Sequence, residues 1–382
     1  MTSSVCQGSA SGVTLALFMA TSGHSGVDRV VANLLTGMVR LGYRPELLRI
    51  RDHGPYLPET PELSEVSQVS LPAEHVNTAL PALVRYLRSK RPDCLLTDKY
   101  KVNRIALTAR WLSGTTTRLA LRIGTTVSVD LASRGRLDRV FERWCFRHLY
   151  PATDAVIMPS RQAADDLERL AGWPDGRVTA VPSPIVDTER FRAIPRPDHP
   201  WFRDGSVPVI VGAGELCGRK DFETLLRAFA RLRQNRPARL VILGRGGRLE
   251  RLRRVAGELG VAEEVDFPGF VSRPEMYMAH ASAFALTSRW EGAPVVLIEA
   301  LACGTPVVST DCPSGPREIL GNGRHGPLVP MGDDAALANA LRTLIDAPPD
   351  PDQLRAAARP YELEASALAY LRAMGAVSGD DA

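Results

Sequence analysis

Two carboxylates eight positions apart, Glu291 and Glu299, mark the stretch from Ser288 to Val308 as a place where chemistry can happen. A polar loop, Glu291-Gly292-Ala293, ends at Pro294, a residue suited to the first position of a helix. An apolar helix is expected to follow from there. Gly304 stops it, and Pro306-Val307-Val308 reads as a short strand beyond. Glu291 then precedes the helix and Glu299 sits in its second turn. Backbone N–H groups at a helix start attract an anion, and carboxylates beside them accept hydrogen bonds from hydroxyls. Phosphate plus hydroxyls are the parts of a sugar nucleotide. On spacing alone, an amphipathic helix with two surface acids competes with that reading.

Other residues of chemical interest lie at the ends of expected strands. Gly214-Glu215-Leu216-Cys217-Gly218-Arg219-Lys220-Asp221 follows the strand Val207–Val211 and brings two adjacent cations. The strand Arg239–Leu243 runs into Gly244-Arg245-Gly246-Gly247, a glycine-rich turn that is weak evidence for a nucleotide by itself. Pro268-Gly269-Phe270-Val271 reads either as backbone that meets a nucleobase edge or as a plain turn with a core Phe. Near the start, Gly23, His24 and Gly26 lie in the loop between the first strand and the first helix, where glycines let backbone approach a ligand. His24 is the evident general-base candidate there. Arg122, at the end of another strand, suits either an anionic ligand group or a structural salt bridge.

The elements that must position these residues alternate along the chain. Strands Val13–Met19, Arg44–Ile50, Cys94–Thr97, Arg118–Ile123, Ala155–Met158 and Val178–Val181 are interleaved with helices Val27–Leu41, Leu80–Lys90, Asn103–Leu112, Arg134–Leu149 and Ser160–Ala171. Asp52 to Pro72 reads as irregular. Residues 182–206, rich in proline and charge, read as a linker. A second alternating series runs from Val207 to Asp346, and two more helical stretches, Pro351–Arg359 and Glu362–Met374, close the chain. This is the pattern of two doubly wound α/β sheets, with ligands expected beyond the strand C-termini, in a central cleft that both halves face. The 382 residues have room for two cores. Six scattered cysteines with no C-x-x-C pair argue against zinc and fit reduced thiols in a cytoplasm. The apolar run Val13 to Ala20 is too short to span a bilayer.

Net charge is +4, unevenly spread: between Leu80 and Tyr150 fifteen basic residues face five acidic ones. Such a section suggests an anionic partner. Without a recognition motif or an interleaved aromatic row, nucleic acid is not expected. An anionic membrane leaflet or a lipid-diphosphate acceptor fits better, and a solvated face with dispersed arginines is the bland alternative. Arg134–Leu149 carries Leu137, Val140, Phe141, Trp144 and Phe146 among arginines, a basic amphipathic pattern.

The Glu291–Glu299 stretch resembles the signature of the family-4 retaining glycosyltransferases, in which two glutamates are separated by seven residues. These enzymes have the two-domain GT-B fold and occur in bacterial polysaccharide, capsule and lipopolysaccharide synthesis. The resemblance implies an acceptor-binding Rossmann-like domain over 1–190, a nucleotide-sugar domain over 191–358, and a C-terminal helix, within 359–382, that crosses back to the first. It implies that Glu291 lies against the donor sugar and Glu299 holds the ribose hydroxyls. Gly244, Phe270, Val271, Gly292, Ala293, Pro294 and Val295 would line the donor site. Lys220 matches the family's phosphate lysine. The family's usual arginine position holds Glu215, a reversed charge, and Arg219 is the cation placed to compensate. The loop with Gly23, His24 and Gly26 approaches donor phosphate or acceptor. The implied reaction moves a sugar from a UDP- or GDP-sugar to an acceptor hydroxyl with retained configuration. It needs no metal or other cofactor, and the acceptor is a glycan or a lipid-linked precursor. Location is expected to be cytoplasmic, at the inner face of the plasma membrane. A GT-B-like sugar-nucleotide epimerase and a catalytically silent nucleotide- or membrane-binding partner remain alternatives, the latter favoured by Glu215.

Overall fold

Residues 12–20, 26–51, 54–203 and 205–377 are described by the computed structural model. The chain divides into two compact units, Met1–Pro184 with Leu363–Ala382, and Ile185–Glu362.

The first unit is built on seven parallel strands: β1 (Leu15–Phe18), β2 (Glu46–Ile50), β3 (Ser67–Leu71), β4 (Cys94–Asp98), β5 (Arg118–Arg122), β6 (Ala155–Met158) and β7 (Val178–Ala180). Their order is β3-β2-β1-β4-β5-β6-β7. β1, β4 and β6 are buried along their whole length, as a parallel sheet covered on both faces requires. One face packs Phe18, Leu48, Leu95 and Leu121 against Leu83, Leu87, Phe146 and Tyr150. The other packs Leu15, Leu17 and Leu47 against Leu34, Leu35 and Met38 of helix Gly26–Arg40, and against Tyr370 and Leu371 of the last helix, Leu363–Met374. That helix thus returns to the first unit. Gly37 makes the close approach possible: a Cβ there would meet the Leu363 carbonyl oxygen at 2.5 Å.

The second unit has six parallel strands: β8 (Val209–Ala213), β9 (Arg239–Leu243), β10 (Val265–Gly269), β11 (Ala283–Leu286), β12 (Val307–Thr310) and β13 (Leu328–Val329). The order is β10-β9-β8-β11-β12-β13. Its core gathers Ile210, Leu240, Ile242 and Val308 with Phe222, Leu226 and Phe229 of helix Phe222–Arg233.

Three local expectations need correction. The segment 52–72 holds helix Pro61–Ser64 and the edge strand β3, where Val69 and Leu71 are the only apolar residues. Helix Tyr100–Ser113 starts three residues early, after Lys99 in a left-handed-side conformation (φ 72°). Pro294 is the cap of helix Val295–Cys303, with extended backbone, and not its first residue; Gly304 ends the helix at φ 77°, as its lack of a Cβ allows.

Candidate active site

In the second sheet β8 and β11 are neighbours from which the strand order runs outward in both directions, the place where such sheets bind ligands. The loop after β8 carries Gly214–Asp221 and leads into helix Phe222–Arg233; the loop after β11 carries Thr287–Ala293 and leads to helix Val295–Cys303. The two loops are joined directly. Arg289 N–H donates to the Arg219 carbonyl at 2.8 Å and the Thr287 hydroxyl to the Lys220 carbonyl at 2.8 Å. The 311–320 segment supports them from behind, its Pro313 carbonyl accepting from Glu291 N–H at 3.3 Å.

These joints bring three sequence-identified side chains together. Lys220 Nζ donates to Glu291 Oε1 at 2.6 Å, and Arg219 Nη1 to Glu291 Oε2 at 2.8 Å. The Ser288 hydroxyl is a further donor to the carboxylate, reaching Oε1 at 2.6 Å. Lys220 and Glu291 are buried, while Arg219 keeps 31 % of its side chain exposed. Burial alone pushes the Glu291 carboxyl up. The charges of Lys220 and Arg219, with the Lys220 and Ser288 hydrogen bonds, outweigh it and hold the group below the usual carboxylate range. Asp221, at φ 47° as the cap of its helix, pairs with Arg289 at 3.1 Å. Three cations against two carboxylates leave the cluster one positive charge in excess.

The glycine-rich turn after β9 meets the same loop. Gly214 N–H donates to the Leu243 carbonyl, and Gly244 N–H to that of Gly269. Gly244 has φ 142°, and a Cβ there would fall 1.8 Å from the Gly214 carbonyl oxygen, so no other residue fits. Phe270 is 64 % exposed, which rules out the core-Phe reading; the Arg245 guanidinium stands 5.9 Å above its ring. Val271, Gly292, Ala293 and Val295 are half-buried, Pro294 is buried, and Glu299 is fully buried on its helix.

The first-unit candidates are placed differently. Gly23 and His24 lie outside the described residues, and Gly26 is the first residue of helix Gly26–Arg40. Arg122, at the end of β5, is buried. Its Nη1 donates to Asp98 Oδ2 at 2.8 Å and its Nε to the Tyr370 hydroxyl at 2.9 Å. Of the two readings open for Arg122, this geometry is the structural salt bridge.

Sequence reasoning missed Ser288 and Asp221 as members of the cluster. The available signal was their position: Ser288 comes two residues after β11, inside the Glu291 loop, and Asp221 follows Lys220 directly.

Residues 198–361 match the family described as glycosyl transferases group 1, and residues 25–184 match the glycosyl transferase 4-like domain. A Campylobacter jejuni protein is 31 % identical over 87 % of this chain and 90 % of its own length. It is an N-acetylgalactosamine-N,N'-diacetylbacillosaminyl-diphospho-undecaprenol 4-alpha-N-acetylgalactosaminyltransferase. A Mycolicibacterium smegmatis GDP-mannose-dependent alpha-(1-6)-phosphatidylinositol monomannoside mannosyltransferase is 33 % identical over 58 % of this chain and 61 % of its own. Among solved structures, the lipopolysaccharide outer core galactosyltransferase WaaB superposes with TM-score 0.73 at 20 % identity, covering 95 % of this chain and 99 % of that one. Anabaena HepE in complex with UDP gives 0.74 at 16 % identity, covering 95 % and 100 %. These neighbours share the two parallel-sheet units, so the fold is GT-B. From the relative that matches along nearly its whole length and from the two domain matches together, the chain belongs to the group 1, family-4 type glycosyltransferases, and it is a glycosyltransferase of the kind found in bacterial polysaccharide and lipopolysaccharide synthesis.

Proposed function

We propose that this chain transfers a sugar from a UDP- or GDP-linked donor, with retained configuration, to a hydroxyl of a lipid-linked glycan precursor. The observation that carries the reading is the convergence of Lys220 and Arg219 on one buried carboxylate at the head of β8 and β11. Two cations beside a helix N-terminus match the charge of a diphosphate leaving group. Arg219 does the work that a residue at 215 does elsewhere in the family. In this reading the donor diphosphate draws Lys220 and Arg219 toward itself. Glu291, released from part of its ion pair, turns to the hydroxyls of the sugar. Glu299 holds the ribose, and the exposed Phe270 with Arg245 flanks the base.

The bond from the anomeric carbon to the acceptor oxygen forms on the face from which the diphosphate departs. The acceptor proton passes to the leaving phosphate oxygen, and Lys220, Arg219 and the helix N–H groups stabilise the charge that builds there. No metal is required for that neutralisation. The acceptor class follows the relatives, one named for a diphospho-undecaprenol saccharide and one for a phosphatidylinositol monomannoside.

A thermal-shift screen against UDP-, GDP-, ADP- and TDP-sugars, followed by product analysis with polyprenyl-diphosphate saccharides, tests the reading. The expected result is stabilisation by one UDP- or GDP-sugar and an α-linked product from an α-linked donor. Inverted product, or release of a free epimer without acceptor, contradicts it.

A further inference from the structure

Helix Arg136–His148 turns an apolar face outward. Leu137 is 85 % exposed, Val140 62 %, Phe141 49 % and Trp144 50 %. Their three- and four-residue spacing puts all four on one stripe. The residues this helix buries are Glu142, Cys145 and Phe146. The apolar stripe is therefore not the packing face, and the reading of it as core fails. Along one edge run the exposed arginines Arg136, Arg143 and Arg147; Asp138 is the exposed acid on the same helix. The helix is fixed to its neighbour, Tyr100–Ser113, by Arg104, which pairs with Glu142 and places its guanidinium 5.2 Å above the Phe141 ring. Two turns further along that neighbour, on the Arg104 side, Trp111 is 79 % exposed.

We propose that this face is a docking surface for an anionic lipid bilayer, entered by Leu137, Val140, Phe141 and Trp144 and held by Arg136, Arg143 and Arg147. An apolar stripe edged by arginine suits the boundary between acyl chains and acidic headgroups, and long arginine side chains reach headgroups while the stripe enters. Charge selects the occupant: the exposed Arg136, Arg143 and Arg147 against the one exposed acid Asp138 on this helix repel a second copy of the same face and attract an acidic leaflet. No helix among the described residues is long and apolar enough to cross a membrane, so docking is by surface contact. The inference rests on the proposed lipid-linked acceptor for its purpose, but not for its geometry.

Sedimentation of the full chain with phosphatidylcholine vesicles, and with vesicles containing phosphatidylglycerol, at low and high salt, is the test. Wild type should sediment with phosphatidylglycerol vesicles and be released by salt. Replacing Arg136, Arg143 and Arg147 together with Gln should weaken partition on the order of 100-fold, at about fivefold per charge. Leu137→Ser, Val140→Ser and Trp144→Ser together should abolish it. Both variants should keep the nucleotide affinity and melting temperature of wild type. Three results overturn the inference: no vesicle binding by folded wild type, binding indifferent to these substitutions, or self-association in place of lipid binding that the same substitutions remove. Sugar transfer without vesicle binding removes docking alone. Vesicle binding by a chain that transfers no sugar supports docking and removes the transfer reading instead.

Discussion

The two parallel sheets each end in a buried ion cluster near the point where strand order reverses, and the clusters differ in what they can exchange. In the first unit Arg122, Asp98 and Tyr370 close on one another, with both ionic side chains at most 5 % exposed. The third member comes from the last helix, which lies across that face of the sheet. In the second unit Lys220, Arg219 and Glu291 sit on loops, Arg219 is 31 % exposed, and the cluster has one cation in excess. A sealed, balanced pair fixes a fold. An open cluster with surplus positive charge can give up part of its internal pairing to an anion. Ion clusters near the strand ends of the two sheets thus differ in what they can exchange because of what covers them.

The largest expected effect falls on the sealed cluster. Arg122→Ala leaves Asp98 buried without its cation and should cost about 3–5 kcal/mol of stability, read by urea denaturation. An unchanged midpoint would mean Arg122 is not the keystone described. Next is Lys220→Ala, which should lower turnover on the order of 100-fold while costing less stability than Arg122→Ala, because Arg219 and Ser288 still hold Glu291. Collapse of the fold in that variant would erase the contrast between the two clusters. Glu299→Gln should weaken nucleoside diphosphate binding by about 1–2 kcal/mol, between a neutral hydrogen bond and one to a charged group. Calorimetry showing no loss would take Glu299 off the ribose.

The smallest effect concerns pH. The Glu291 carboxyl is held low in the folded chain, so its ionised form contributes stability above the ordinary glutamate range. That contribution is lost as pH falls through the depressed folded value. The stability difference between wild type and Glu291→Gln should therefore shrink on acidification below about pH 4. A difference that grows with acid contradicts the assignment of Lys220 and Arg219 as its partners.

Much of this was legible from residues. The alternation of strands and helices, the Gly304 stop and the Lys220 and Glu291 motifs depend on local pattern, and the fold followed from them. The edge strand β3 was not legible, because an edge half-exposed to solvent does not need continuous apolar residues. The role of Asp221 was hidden because its partner Arg289 lies 68 positions away, on the loop after β11 that β8 brings alongside; the Ser288 bond to Glu291 is local, three residues along one loop, but only the folded loop turns the hydroxyl to the carboxylate. Arg122 was ambiguous for the same reason: its partner Tyr370 is 248 positions away. The outward face of helix Arg136–His148 was half legible, since the periodicity gives a stripe but only packing shows which side it takes.

In the proposed reaction Lys220 and Arg219 exchange Glu291 for the donor diphosphate. Calorimetric titration of UDP and GDP into wild type, Lys220→Ala and Glu291→Gln tests it most directly. Lys220→Ala should lose about tenfold or more in affinity for whichever diphosphate binds, while Glu291→Gln should bind it as well as wild type or better and lose affinity only for the intact sugar nucleotide. Unchanged affinity in Lys220→Ala, or equal loss of diphosphate and sugar nucleotide in Glu291→Gln, would contradict it.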